Sequence, residues 1–163
     1  MKLIISYLTY SLLMSGCGVY SFSGHGIAGI ESISIQPFDN QTAEFGIKEE
    51  LTDKVLSSLL ENRSLGVADR SNADAILFGN LLSVTDRPLT YSSDESVEEY
   101  EVVITVSFIL TMPDKTEPIW EGNISGVGSY PYSGGSLEER EGGVAKALDR
   151  LAEDLINKLT SDW

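Results

Sequence analysis

The chain is poor in the residues on which most catalytic and metal sites depend. It has one cysteine, Cys17, and one histidine, His25. A disulfide within the chain needs a second cysteine, and zinc sites need several Cys or His ligands, so both are excluded. The sequence also lacks a nucleophile elbow, a phosphate-binding loop and a calcium loop. These absences predict a protein that is not an enzyme and that needs no cofactor and no metal.

Basic residues are also scarce. The chain has 11 Lys and Arg against 25 Asp and Glu, and its formal net charge is −14. Binding to nucleic acid requires clustered cations that neutralise phosphates. We therefore exclude nucleic acid as a partner.

No apolar run is long enough for a membrane-spanning helix. The longest, Leu3–Met14, covers about twelve residues, whereas a spanning helix needs about 20. Lys2 precedes this run, and Ser15 and Gly16 separate it from Cys17. A positive start, a short apolar stretch and small residues before a cysteine are typical of a bacterial lipoprotein signal. An ordinary secretory signal is the alternative, but the only cysteine of the chain stands at the position that lipidation requires.

This pattern divides the chain into three parts. We expect residues 1–16 to be a signal peptide that is removed, which leaves Cys17 as the lipidated first residue. Residues 17–29 are rich in glycine and serine and predict a flexible tether. Residues 30–163 have the length of a single domain. Gly18, rather than an aspartate, follows the lipidated residue, which points to the outer membrane.

Hydrophobic periodicity then predicts the fold. An apolar stripe at helical spacing marks a helix over about 45–61, and a second stripe marks another over about 136–160. Alternating or apolar runs predict strands near 32–36, 73–84, 100–112 and 119–130, and the loop over 62–72 contains a candidate short strand at 65–67. Glycines 122, 126 and 128 indicate a bulge, a bend or the close approach of another backbone. We predict an α+β fold, a two-layer α/β sandwich in which two amphipathic helices pack on one face of a roughly four-stranded mixed sheet.

Two segments of this sandwich read as loops. Residues 86–99 contain Pro88 and several acidic residues, and residues 131–135 contain proline, glycine and serine. We expect Tyr91, Tyr130 and Tyr132 to lie in loops and not on core faces. A tyrosine ring offers a large contact area with one polar end. These three residues are our candidates for contacts with a partner.

Several short segments resemble the lipopolysaccharide-assembly lipoprotein family, LptE. They are Cys17–Gly24, Phe38–Thr42 before the first helix, Ala73-Asp74 at the second strand, Glu99-Tyr100 leading into Ile104–Val106, and Ile119–Glu121. The resemblance implies an outer-membrane lipoprotein that lies in the periplasm or within the lumen of a large β-barrel. It would plug and help to assemble that barrel, the translocon that inserts lipopolysaccharide into the outer leaflet. Lipopolysaccharide is a second implied partner, although this chain offers few cations for it.

A different class of partner is the alternative. Lipoproteins with similar small α/β domains regulate or assemble a periplasmic cell-wall synthase or a secretion pore, and they reach across the periplasm on long tethers. Here only about a dozen residues, each at most roughly 3.5 Å long, separate Cys17 from the first predicted strand. The domain must stay near the membrane, which favours the barrel.

Overall fold

The computed structural model describes residues 29–63, 65–134 and 136–161. Along the chain the elements are β1 (Ser32–Ile35), β2 (Asp39–Asn40), α1 (Ile47–Asn62), β3 (Gly66–Val67), β4 (Ala75–Tyr91), β5 (Val97–Thr111), β6 (Pro118–Pro131) and α2 (Leu137–Thr160). The strands form one six-stranded sheet in the order β3-β1-β4-β5-β6, and β2 pairs with β4. The predicted α+β class is confirmed, while the expected number of about four strands was too low.

The sheet is mixed because its two halves are connected differently. The short strands β1, β2 and β3 run parallel to their neighbours. The long strands β4, β5 and β6 form two successive antiparallel hairpins. Since β1 pairs with the first residues of β4, both Gly29 and the start of β4 lie at the same end of the sheet.

One face of the sheet holds the core. Alternate residues of β5, from Val102 to Leu110, are fully buried. The buried stripe of α1 includes Leu51 and Val55, and α2 packs on β5, β6 and α1. The other face carries small polar side chains such as Thr105 and Ser125, whose hydroxyls are 2.9 Å apart. The helices therefore share one face, as predicted, and no described element covers the other.

The glycines of β6 bring α2 onto the sheet. A Cβ on Gly126 would stand 1.9 Å from the carbonyl oxygen of Ala147, and one on Gly128 would stand 2.0 Å from that of Gly143. No side chain fits in either place. Of the three expectations for these glycines, the close approach of another backbone is the one that the structure shows.

The segment predicted as a loop over 86–99 is a hairpin instead. Asp86 pairs with Val102 and Pro88 with Tyr100, and only residues 92–96 form the turn. Gln41 donates its N–H to the carbonyl oxygen of Leu81 at 2.9 Å, so the backbone N–H and C=O groups of Leu81 point away from β5. Alternation, shifted by the bulge at Leu82, directs the backbone of Pro88 to the same side of β4, at a point beyond the pairing with β2. Its missing N–H is therefore not needed for pairing with β5.

Two polar turns fix the entry to each helix. Asn40 accepts the N–H of Thr42 at 2.8 Å and donates its side-chain amide to the carbonyl oxygen of Glu44, also at 2.8 Å. This turn positions Glu44 just before α1. At α2, the Ser136 hydroxyl accepts the N–H of Glu139 at 3.2 Å, and the helix begins at Leu137. The Ser136 hydroxyl thus caps the helix and marks its start.

Candidate partner-binding site at the hairpin end

The two long hairpins carry the candidate site far from the start of the described chain. Strand β4 has 17 residues, and at about 3.3 Å a residue it is roughly 55 Å long. Gly29 lies near the first residues of β4, whereas the turn over 92–96 follows its last residue. We call the end that contains this turn the distal end.

Three tyrosines pack together near the distal end. The rings of Tyr100 and Tyr130 are stacked, with centroids 5.9 Å apart and an angle of 16° between the planes. Tyr132 meets Tyr100 edge to face at 5.1 Å. Tyr130 is only 7% exposed, so the structure corrects our expectation that it lies in a loop. It belongs to β6 and to the core, because it continues the inward-facing alternation of Gly126 and Gly128.

Below the tyrosines, a polar network joins three parts of the chain. The Tyr130 hydroxyl donates to Oδ1 of Asp86 at 2.8 Å. The Arg140 guanidinium donates to Oδ2 of Asp86 at 2.9 Å and to Oε1 of Glu44 at 2.8 Å. Arg140 thereby ties α2 to β4 and to the segment before α1. Pairing with two carboxylates is the arrangement that the five guanidinium donors allow.

The network changes the acid–base behaviour of its members. Burial, helped by the hydrogen bond to Asp86, raises the pKa of Tyr130 to about 12. The hydrogen bond that Arg140 donates to Asp86, and then the one that it donates to Glu44, raises the pKa of Arg140 despite its partial burial. Tyr130 therefore stays neutral and Arg140 stays charged throughout the physiological range.

Apolar side chains are exposed around this network. Phe45 is 98% exposed and follows Glu44 in the chain. Leu137 is 78% exposed and lies one helical turn before Arg140. Leu89, Tyr91 and Tyr132 are also exposed large side chains and lie on the hairpins at the same end. We call these five residues the distal apolar surface. Arg140 holds Glu44, the residue before Phe45, while strand pairing holds the segment of Leu89 and Tyr91, so the backbone under this surface is ordered before binding.

Charge at the distal end is largely negative. Glu98, Glu138 and Glu141 are exposed there. Two arginines lie in the same region, and both already have carboxylate partners. Arg87 pairs with Glu101. Arg140 pairs with Asp86 and Glu44. The arrangement favours contact with a protein over contact with a phosphate group.

The structure brings some of the predicted site residues together and separates others. Tyr132 joins the tyrosine cluster and stays half-exposed, and Tyr91 ends β4 at 61% exposure. Cys17 and His25 lie outside the described residues. Sequence reasoning missed Phe45 and Leu137. Both fall at the start of a predicted helix, and the helical pattern does not show that an apolar side chain is exposed there.

The described part of the chain shows neither a metal-ligand cluster nor a membrane-spanning helix. Within residues 29–63, 65–134 and 136–161, no three His, Cys, Asp or Glu side chains are grouped as a metal would require. Over the same residues, no helix combines the length and apolar character needed to cross a bilayer.

Comparison with solved structures shows the fold to be a shared one. The hypothetical protein CT253 from Chlamydia trachomatis is 9% identical, with a TM-score of 0.57 over 79% of this chain and 95% of that one. PelC from Paraburkholderia phytofirmans, a dodecamer, is 17% identical, with a TM-score of 0.56 over 85% and 95%. A minor lipoprotein from Acinetobacter baumannii is 15% identical, with a TM-score of 0.53 over 80% and 91%. At these identities the likeness concerns the fold alone.

Sequence comparison identifies the family. No curated protein matches the chain significantly. The profile of the lipopolysaccharide-assembly family LptE, in contrast, matches residues 30–162. That range includes both helices and all six strands. The chain therefore belongs to the LptE family, whose role is in lipopolysaccharide assembly.

Proposed function

We propose that this protein is an outer-membrane lipoprotein that plugs and helps to assemble the β-barrel translocon for lipopolysaccharide. Lipid on Cys17 anchors it, residues 1–16 are the removed signal, and residues 17–29 tether the single domain of residues 30–163. The protein acts by binding and not by catalysis.

The observation that carries this proposal is the position of the distal apolar surface. Gly29, where the tether would join, lies at the opposite end of β4, roughly 55 Å away. A surface that points away from its own anchor is poorly placed to insert into the lipid that holds the anchor. Exposed aromatic and aliphatic side chains on a rigid support are typical of protein contacts.

The uncovered face of the sheet supports a barrel as the partner. The middle of this face carries the small polar side chains of Thr105, Ser107 and Ser125, with the apolar side chains of Val103, Ile109 and Val127 beside them. The interior of an outer-membrane barrel is polar. The polar middle of the face can lie against such a wall without a large apolar interface, so the distal apolar surface supplies the specific contact.

Direct contact with lipopolysaccharide has less support in this chain. Arg87 and Arg140 lie at the distal end, and both are paired with carboxylates. Binding a phosphate there would require breaking one of these pairs. We therefore assign the distal end to the barrel protein.

A photo-crosslinker in intact cells tests the proposal. Placed at Tyr91 or Tyr132, it should capture the barrel of the lipopolysaccharide translocon. Placed at the exposed Glu61, near the far end of α1, it should capture the barrel at most weakly. If no position captures a barrel, the proposed function is wrong, and capture of a cell-wall synthase would support the alternative class.

A further inference from the structure

The outer edge of β6 presents backbone groups that face away from the sheet. The carbonyl oxygen of Leu77 accepts the N–H of Gln36 at 3.0 Å, so the backbone groups of Leu77 point toward β1. Its partner Leu110 must then direct its backbone groups toward β6, where it pairs with Trp120. The backbone groups of Trp120 therefore point toward β5, and those of the next residue, Glu121, point outward.

The alternation continues along β6 without a register shift. It directs the N–H and C=O groups of Asn123, Ser125, Val127 and Ser129 outward. Lys146 agrees with this assignment, because its Nζ donates to the carbonyl oxygen of Ser129 at 3.0 Å. In the described part of the chain, no strand lies beyond β6.

Lys146 covers this edge at Ser129, but the middle of the edge lacks the devices that usually prevent strand pairing. Folded proteins protect free edges with proline, lysine, charged side chains or bulges. The outer edge of β4 has Arg87, Pro88 and a bulge. Strand β6 has prolines only at its two ends, and residues 122–128 contain no charged residue and no proline. The middle of a 14-residue strand is left open to pairing.

A groove runs beside the same edge. It has a volume of about 450 Å³ and lies between β6 and the last turns of α2. Trp120 and Ile124, both packed against the core, contribute its apolar part. Asp154 and Lys158 contribute walls of opposite charge. A strand added to β6 would direct every second side chain into this groove.

We propose that β6 and α2 form a binding site for an extended peptide segment of a partner protein. The segment adds to β6 as a further strand and places an apolar side chain against Trp120 and Ile124. Only an extended polypeptide offers alternating donors and acceptors at the spacing of this edge, and side-chain pockets then give specificity. A second copy of this chain fits less well, since two chains of charge −14 repel each other. This site is separate from the distal apolar surface.

Selection of short random peptides, displayed on phage, tests the site with the purified full-length chain. The selected peptides should carry apolar residues at alternate positions. Ser125→Pro removes the outward N–H, which β5 does not use, and should weaken their binding about tenfold. Ser125→Ala is the matched control, because it also loses the hydroxyl contact with Thr105 but keeps the N–H. It should bind as the unmodified chain does.

Hydrogen exchange on the unmodified chain keeps the test independent of how well the proline variant folds. The outward amides of Asn123, Ser125 and Val127 should exchange about tenfold more slowly when a selected peptide is bound. The proposal is overturned if no peptide is selected, or if protection appears elsewhere. Protection that rises with protein concentration alone would assign the edge to a second copy instead.

Discussion

Gly142 and Gly143 are neighbours in α2, but their surroundings differ completely. Nothing lies within 4 Å of a Cβ placed on Gly142, whereas one placed on Gly143 would stand 2.6 Å from the ring of Tyr130. The ring cannot easily move, because Tyr100 stacks on it and Asp86 holds its hydroxyl. Two adjacent glycines therefore predict opposite effects of the same substitution.

Gly143→Ala should lower the free energy of unfolding by about 1–3 kcal/mol, because the added methyl group overpacks the contact with Tyr130. Gly142→Ala should raise it by up to about 1 kcal/mol, since alanine favours the helix and meets no neighbour. Chemical denaturation of both variants measures the difference. Equal effects at the two positions would contradict the packing of α2 on β6.

Arg140→Met should destabilise the fold by about 1–3 kcal/mol, because Asp86 and Glu44 would lose the donor that they share. The network is partly exposed, so solvent limits the loss. Arg87→Met is the control, and it should cost less than about 1 kcal/mol because Arg87 is mostly exposed. A larger loss at Arg87 than at Arg140 would refute the role given to the network.

Tyr130 should make the fold less stable at high pH. Its pKa is raised to about 12 in the folded chain, while an unfolded tyrosine has a pKa of about 10. The folded state therefore retains the proton more strongly, and this contribution is complete below pH 10 and is lost as the pH rises from 10 to 12. Titration followed by absorbance should show a tyrosine that ionises near pH 12, later than a free tyrosine. Tyr130→Phe should abolish that late ionisation step. A late step that persists in this variant would assign it to another tyrosine.

Phe45→Ser combined with Leu137→Ser should leave the free energy of unfolding nearly unchanged, because both side chains are exposed. If the proposed function holds, the same variant should recover less barrel protein in affinity purification. Leu60→Ser is the control, since Leu60 is exposed but lies near the other end of α1. Reduced recovery with Leu60→Ser alone would move the contact away from the distal end.

The sequence could predict the long elements because their periods are clear. The alternation from Tyr100 to Leu110 and the two helical stripes lead directly to the observed layers. The two-residue strands β2 and β3 are too short to produce a period, so β3 was only a candidate at 65–67 and β2 was missed. That is why the expected sheet had about four strands and the observed one has six.

The hairpin end was harder to predict because its composition is that of a loop. Pro88 and the acidic residues around Glu98 usually end a strand. Here Pro88 takes a position where no N–H is needed, and Arg87 pairs across the strands with Glu101. The contact of Arg140 with Glu44 joins residues 96 positions apart, and no local pattern predicts such a pair.

If the proposed lipid anchor on Cys17 is correct, the length of β4 is to be compared with the thickness of a bilayer. A bilayer has a hydrocarbon core of about 30 Å and is about 40–45 Å thick with its headgroups. A 17-residue strand, roughly 55 Å long, exceeds both distances. If β4 lies along the bilayer normal inside a barrel, a chain anchored in the inner leaflet has its Tyr91 at the height of the outer leaflet. One continuous hairpin then links the two leaflets without itself touching lipid.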